Sequence, residues 1–180
     1  MVLRPASRTH IPEIVEAFEE TWPDVIRAMP WINPDNEIRP QIGDFIADTE
    51  RKGRTGLLHH WIMIRPWDGY VIGLIGFDRV TRSDRATWNL GYWVRSSEQR
   101  HGYARRSIDA ALGWLGQVGD LIVEMKVDPN NDPGSKTVVR TVRKWKGERC
   151  LSGDSAITVA GVRTMHECHL IEVGPGPSPV

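Results

Sequence analysis

Residues 99–104 read Gln-Arg-His-Gly-Tyr-Ala, and this run limits what the chain can fold into more than any other segment. It follows an apolar, strand-like stretch, Leu90 to Val94, and opens a helix-like one, Tyr103 to Leu115. A loop between such elements turns several backbone N–H groups toward one point. Gly102 lets the main chain come close to a ligand. The helix behind it adds the positive end of its dipole, and Arg100, Arg105 and Arg106 add full charges. Together they point to a pocket for a pyrophosphate, with Gln99, Arg100, His101, Gly102, Tyr103, Ala104 and Arg105 as its residues. For an isolated glycine loop, an ordinary strand–helix turn is the simpler reading, so the surrounding pattern decides.

That pattern begins with size and charge. The 180 residues suit one domain with a full core, and no internal repeat or linker divides them. Lys plus Arg equal Asp plus Glu at 23 each, a balance that gives no support for bulk nucleic-acid or membrane-surface binding. The N-terminal MVLRPASRTH lacks the apolar core of a signal peptide. The apolar runs are too short to span a bilayer. Cys150 and Cys168 are too few for a disulfide scaffold and read as reduced, which fits the cytoplasm; a single bridge stays open. The eight tryptophans are most simply core residues, with Trp22, Trp31, Trp61 and Trp67 as candidates for lining a cleft.

Periodicity predicts a short strand at Val2 to Arg4 and a helix over Ile11 to Trp22, capped by Thr9 with Pro12 in its first turn. A helical turn at Val25 to Met29 and a helix over Pro40 to Arg51 follow, the latter with Ile42, Phe45, Ile46 and Thr49 as its stripe. Three strands then come in sequence: Leu57 to Ile64, Tyr70 to Val80 and Thr87 to Val94. Turns at Pro66–Gly69 and at Ser83 to Arg85 join them, which implies an antiparallel meander. Beyond the glycine loop, the helix buries Ala104, Ile108, Ala111, Leu112 and Leu115, and Leu121 to Val127 is a strand. Asp132-Pro133 starts a last helix with Val138, Val142 and Trp145 on its stripe and Gly147 at its end. Val162 to Val173 closes the fold as a strand or strand pair, and 174–180, GPGPSPV, is expected to be a disordered tail behind a single 1–173 domain.

This order of elements resembles the GNAT acyltransferases, the Gcn5-related N-acetyltransferase family. That family's loop reads Q/R-x-x-G-x-G/A, and Gln99, Gly102 and Ala104 fill its fixed positions. Within the family the chain looks like the ribosomal-protein (RimJ/RimL-like) branch. Gly91-Tyr92-Trp93 matches that branch's strand before the loop, and Val127-Asp128-Pro129-Asn130-Asn131 its V-x-P-x-N run. Ala28-Met29-Pro30-Trp31 matches in part a W-x-P-W-like segment. The likeness covers about the first 145 residues. Three departures stand out. Ser135 falls one residue late after the Asn, Lys144-Trp145-Lys146-Gly147 replaces L-G-F, and Asn89 stands where many relatives carry an acid. The C-terminal third is therefore expected either to extend its helix or to pack differently.

The resemblance implies a mixed α/β (α+β) fold, with a mostly antiparallel central sheet flanked by helices. It implies an N-acyltransferase that moves an acetyl or short acyl group from acyl-CoA to an amine in a ternary complex, with no metal. It places the polarisation of the thioester carbonyl on the main chain of Trp93 and Val94. It puts Asn131 among the cofactor residues and gives the Ser135 hydroxyl the task of protonating the leaving thiolate. A local backbone hydrogen bond is an equal reading for Ser135.

The residues leave the base open. His59 and His60, neighbours on one strand, face opposite sides, and Asp78 sits on the next strand. His166 and His169 lack further ligands at recognisable spacing. Glu16, Glu19 and Glu20 form either a solvated face or an acidic wall for a cationic acceptor. The expected partner is an amine, a protein N-terminus or a small molecule, with a homodimer as a further expectation. The rival readings are a CoA-binding sensor without transfer activity and, lower, a nucleotide-binding protein. The latter lacks a G-x-G-x-x-G near its first strand and any G-x-x-x-x-G-K-S/T.

Overall fold

The computed structural model describes residues 1–81, 85–159 and 161–176. The turn expected at 83–85 thus lies mostly outside the described residues, as do 177–180 of the expected tail. The elements run β1 (Val2–Pro5), α1 (Ile11–Thr21), α2 (Ile38–Gly53), β2 (Leu58–Ile64), β3 (Val71–Arg79), β4 (Trp88–Val94), α3 (Tyr103–Gly116), β5 (Leu121–Val127), α4 (Asp132–Lys144), β6 (Glu148–Arg149), β7 (Ser155–Val159) and β8 (Val162–Val173). The sheet order is β1-β2-β3-β4-β5-β8-β6, with β7 joined to β8. Every pairing among the described residues is antiparallel except β4 with β5. The fold is the expected mixed α/β type built on a mostly antiparallel sheet.

Period-two alternation along the strands feeds two cores. On one face, α1 and α2 bury Ile14, Phe18, Ile42 and Ile46 against Ile62, Leu74 and Trp93. On the other, Ile108 and Leu112 of α3 and Val138 of α4 meet Ile75, Phe77 and Met125. Each such side chain contributes roughly 1.5–3 kcal/mol of transfer free energy, which is why the apolar stripes predict the helices well.

Two local expectations are corrected. Thr9 does not cap α1, because Arg8–His10 is itself a 3-10 turn that leads into the helix, and the Thr9 hydroxyl bonds Ser7 at 2.9 Å. Gly147 does not supply the left-handed residue that ends α4; Lys146 does, at φ 55°, and the Gly147 N–H returns to Val142 O at 2.9 Å. Gly147 is needed for another reason: any Cβ there would press into the Leu170 carbonyl of β8. Val162 to Val173 is a single strand, as expected, and two strands that the sequence reading did not place, β6 and β7, pair with it. β8 is a twelve-residue strand that pairs with β5, β6 and β7.

The turn between β6 and β7 is held by charge. Arg149 grips Asp154 with two bonds of 2.6 and 2.7 Å, and the Cys168 N–H reaches the same carboxylate at 2.9 Å. Arg149 first, then that amide, brings the Asp154 carboxyl down to about 2. Both cysteines are free and buried. No helix among the described residues is long and apolar enough to cross a membrane.

Candidate active site

The sheet opens at its middle. β4 and β5 pair only through Trp88↔Val123 and Asn89↔Glu124. Past Asn89 the ladder stops, so among the described residues the β4 main chain, Trp93 and Val94 included, has no partner strand on its β5 side.

Arg95 ends β4 and anchors the loop that follows. It is 2 % exposed, lies 4.2 Å over the Tyr70 ring, and donates to Glu16 of α1 at 3.1 Å. Its Nε meets Glu20 at 3.3 Å as an ion pair, out of line for a hydrogen bond. Glu20 also accepts from the Ser97 N–H at 2.9 Å. Partial burial pushes the Glu20 carboxyl up, but Ser97 and Arg95 together outweigh that and hold it below its usual value. Two of the three α1 glutamates, though exposed to solvent, are thus tied to the entry of the glycine loop.

The loop has the geometry its sequence predicts. Arg100 and Gly102 are both left-handed, at φ 65° and 76°. The first helical bond runs from the Arg106 N–H to Gly102 O at 3.1 Å, so the amides of the first turn of α3 point out of the helix end without a helical acceptor. Gln99 ties the loop to the Val94 carbonyl at 3.3 Å. Arg106 is a brace, with its guanidinium on His101 O at 3.1 Å and 4.7 Å over the Tyr103 ring. Arg100, Arg105 and Arg106 are all exposed. Open amides, a glycine at the close approach and exposed cations suit a diphosphate.

Across the splay, α4 begins. Asn131 is its cap, with Oδ1 accepting from the Gly134 N–H at 3.1 Å. The Ser135 hydroxyl is half-buried, and its nearest acceptor, Asp128 O, is a long 3.5 Å away. Tyr92 on β4 was not singled out as a proton donor. Burial pushes its phenol above its ordinary value, partly offset by Thr137 of α4, so it stays protonated at neutral pH.

On the α1/α2 face, a cleft of about 920 Å³ runs between α2 and strands β2 to β4. Trp31, Phe45 and His60 line it as a stack, with ring centroids 4.9 and 5.0 Å apart. His60 Nδ1 lies 2.9 Å from the Thr49 hydroxyl, and Nε2 lies 3.2 Å from Asp78 Oδ1. Asp78 is the register partner of Asn89. Trp93 also lines the cleft, and its buried indole N–H has no acceptor among the described residues. His59 points the other way, into Trp61, Trp88 and Trp114. Of the four tryptophans expected as cleft candidates, Trp31 alone lines it. A hollow of about 260 Å³ at Leu112, Lys144 and Trp145 lies apart from the loop and the cleft. Among the described residues, no cluster of three or more His, Cys, Asp or Glu is arranged to hold a metal ion.

Known proteins share this architecture. The ribosomal-protein-S5-alanine acetyltransferase of Vibrio fischeri is 13% identical, with a TM-score of 0.74, over 96% of this chain and 92% of that one. RimJ of Mycobacterium smegmatis, solved with CoA-disulfide, is 18% identical, with a TM-score of 0.74, over 94% of this chain and 80% of that one. Spermidine N-acetyltransferase of Vibrio cholerae, solved with CoA and spermine, is 13% identical, with a TM-score of 0.68, over 96% and 95%. No curated protein matches the chain by sequence. The acetyltransferase (GNAT) domain model, however, matches residues 1–142, and on that match, which takes in the splayed strands and the glycine loop, the chain belongs to the GNAT acetyltransferase family.

Proposed function

We propose that this chain transfers an acetyl or short acyl group from acyl-CoA to a primary amine, as a cytoplasmic enzyme of the ribosomal-protein (RimJ/RimL-like) branch with residues 1–173 as one catalytic domain. The observation that carries the proposal is the coincidence of two openings at β4: the left-handed loop and α3 amides at its end, and the cleft along its α1/α2 face. Acyl-CoA supplies the activated thioester. Arg100, Gly102 and the first-turn amides of α3 hold its diphosphate. The unpaired β4 main chain at Trp93 and Val94 donates to the carbonyl oxygen, where negative charge builds.

The amine enters from the cleft, its carbon frame against Trp31 and Phe45. An acceptor carbonyl there can also satisfy the Trp93 indole. The relatives solved with CoA, one of them with spermine as well, support both halves of this reading. The proton for the leaving thiolate comes from Ser135, with Tyr92 as the second donor in reach of the splay.

Free-thiol release with a panel of peptide N-termini and polyamines tests the proposal. Turnover with any of them supports it; tight CoA binding with no release across the panel favours a CoA sensor instead. Ser135→Ala is expected to lower kcat about a hundredfold, the lower end of what a positioned acid contributes, with CoA affinity unchanged. Equal turnover moves that task to Tyr92.

A further inference from the structure

Amine attack needs a lone pair, so a proton must leave the nitrogen before or as the new bond forms. At β4 the polar residue two before Gly91 is Asn89, and an amide binds no proton near neutral pH. The adjacent strand carries the group that Asn89 lacks. Asp78 stands directly across from Asn89, its side chain 49% exposed, and the cleft reaches both. Behind Asp78 sits His60, only 7% exposed.

From this geometry we propose that Asp78 and His60 act as one proton acceptor for the incoming amine, a role that rests on the acyl-transfer reading above. Asp78 meets the amine, and His60 holds the charge behind it. The amine nitrogen bonds to the acyl carbon, and the C–S bond breaks with its electron pair going to sulfur. The proton shed by nitrogen goes to the pair, and the thiolate is protonated separately.

Three features of the site serve this role. Both ring nitrogens of His60 are engaged, one by Thr49 and one by Asp78. A hydroxyl can either donate or accept, so Thr49 suits the ring with one proton or with two. The Asp78–His60 pair therefore takes up a proton without leaving any buried nitrogen unpaired. Gly76 makes the reach possible: the imidazole crosses β3 at Gly76, and a side chain there would overlap the ring. Phe45 covers the ring at 5.0 Å and excludes water from it.

Other charged groups surround the pair. Asp44, Asp48 and Lys52 come from α2 and Arg79 from β3. On β5, Glu124 stands beside Asn89 and pairs with Lys126 at 3.7 Å. Asp48 is already bound by Arg51 and Lys52 at 2.6 Å each, and Glu124 is buried, so Asp78 is the carboxylate that adjoins both the cleft and an imidazole.

The test is steady-state thiol release across the neutral pH range, with an amine that the unaltered protein accepts, for His60→Gln, Asp78→Asn and the double variant. Each single change is expected to lower kcat about a hundredfold and to flatten the acid limb of the kcat–pH profile, and the double is expected to be no worse than about threefold beyond either. CoA affinity by calorimetry stays within about twofold, because neither residue touches the loop. His59→Gln, on the opposite face, keeps its activity.

A kcat within about threefold of the unaltered protein, or an acid limb that does not move, overturns the proposal. If His60→Gln melts early, Asp78→Asn decides alone, because its half-exposed side chain is no part of either core. CoA binding without turnover in the unaltered protein sinks the acyl-transfer reading itself, and the pair's role with it; normal turnover in the variants sinks only the pair.

Discussion

Gly102→Val should bind CoA about thirty- to a hundredfold more weakly than the unaltered protein, a loss of roughly 2–2.7 kcal/mol of binding free energy. Gly102 sits at φ 76°, ψ 12°, as the cap of α3. That conformation costs an L-residue roughly 1–2 kcal/mol, and a β-branched one more. The chain can escape only by rotating the loop, which turns the first-turn amides of α3 away from their common focus. A side chain there also comes within 3.3 Å of Arg106 Nη1, the group that braces His101 O. The loop lies on the surface, so thermal stability should fall by no more than about 2–3 kcal/mol. Isothermal calorimetry with CoA, beside a melt, separates the two effects. Unchanged CoA affinity in Gly102→Val would remove the loop from the diphosphate site.

The second large effect is on stability. Gly73→Ala should cost about 3 kcal/mol or more, at the upper end of what a single added methyl does to a packed interior. Gly73 lies on β3, the sheet's third strand, opposite Val94. A Cβ there would overlap the Trp93 carbonyl oxygen and stop 3.0 Å from Val94 Cα. Both obstacles are backbone, so no rotamer change relieves them, and β4 itself must shift. The atoms displaced are those assigned to the thioester carbonyl, so kcat in the surviving folded fraction should fall as well. Urea unfolding at 25 °C reads the first effect and thiol release the second. A loss under about 1 kcal/mol would contradict the β3–β4 register at this position.

What could be read in advance follows the range of the interactions concerned. β5 was legible to the residue, Leu121 to Val127, because a short apolar run between Gly119-Asp120 and Asp128-Pro129 has one sensible reading. The α2 stripe was legible because Ile42, Ile46 and Thr49 need only helical spacing to share a face. The glycine loop was legible because a left-handed residue constrains residue type locally.

The Arg95–Glu16 contact, by contrast, joins residues 79 apart in sequence. Nothing local told Glu16 and Glu20 from any exposed pair of carboxylates. The β7–β8 hairpin was missed because Thr158 to Arg163 carries the turn signal of Gly161 without an apolar run long enough to announce the strand before it. Lys146 took the left-handed position beside an available glycine because Gly147 was required one residue later, where β8 comes too close for any side chain.

The candidate site divides along the same line. Its cofactor half is a continuous segment, Gln99 to Arg105, whose conformation is set by its own residue types and the helix that it opens, and the sequence alone determined it. Its acceptor half is an assembly from α2, β2, β3 and β4. Alternation established that His59 and His60 face opposite ways, but not which of them meets the cleft. That choice was made by the sheet register, which places Gly76 beneath His60 and Asp78 beyond it. Register depends on every strand pairing at once, and no single stretch of chain carries it.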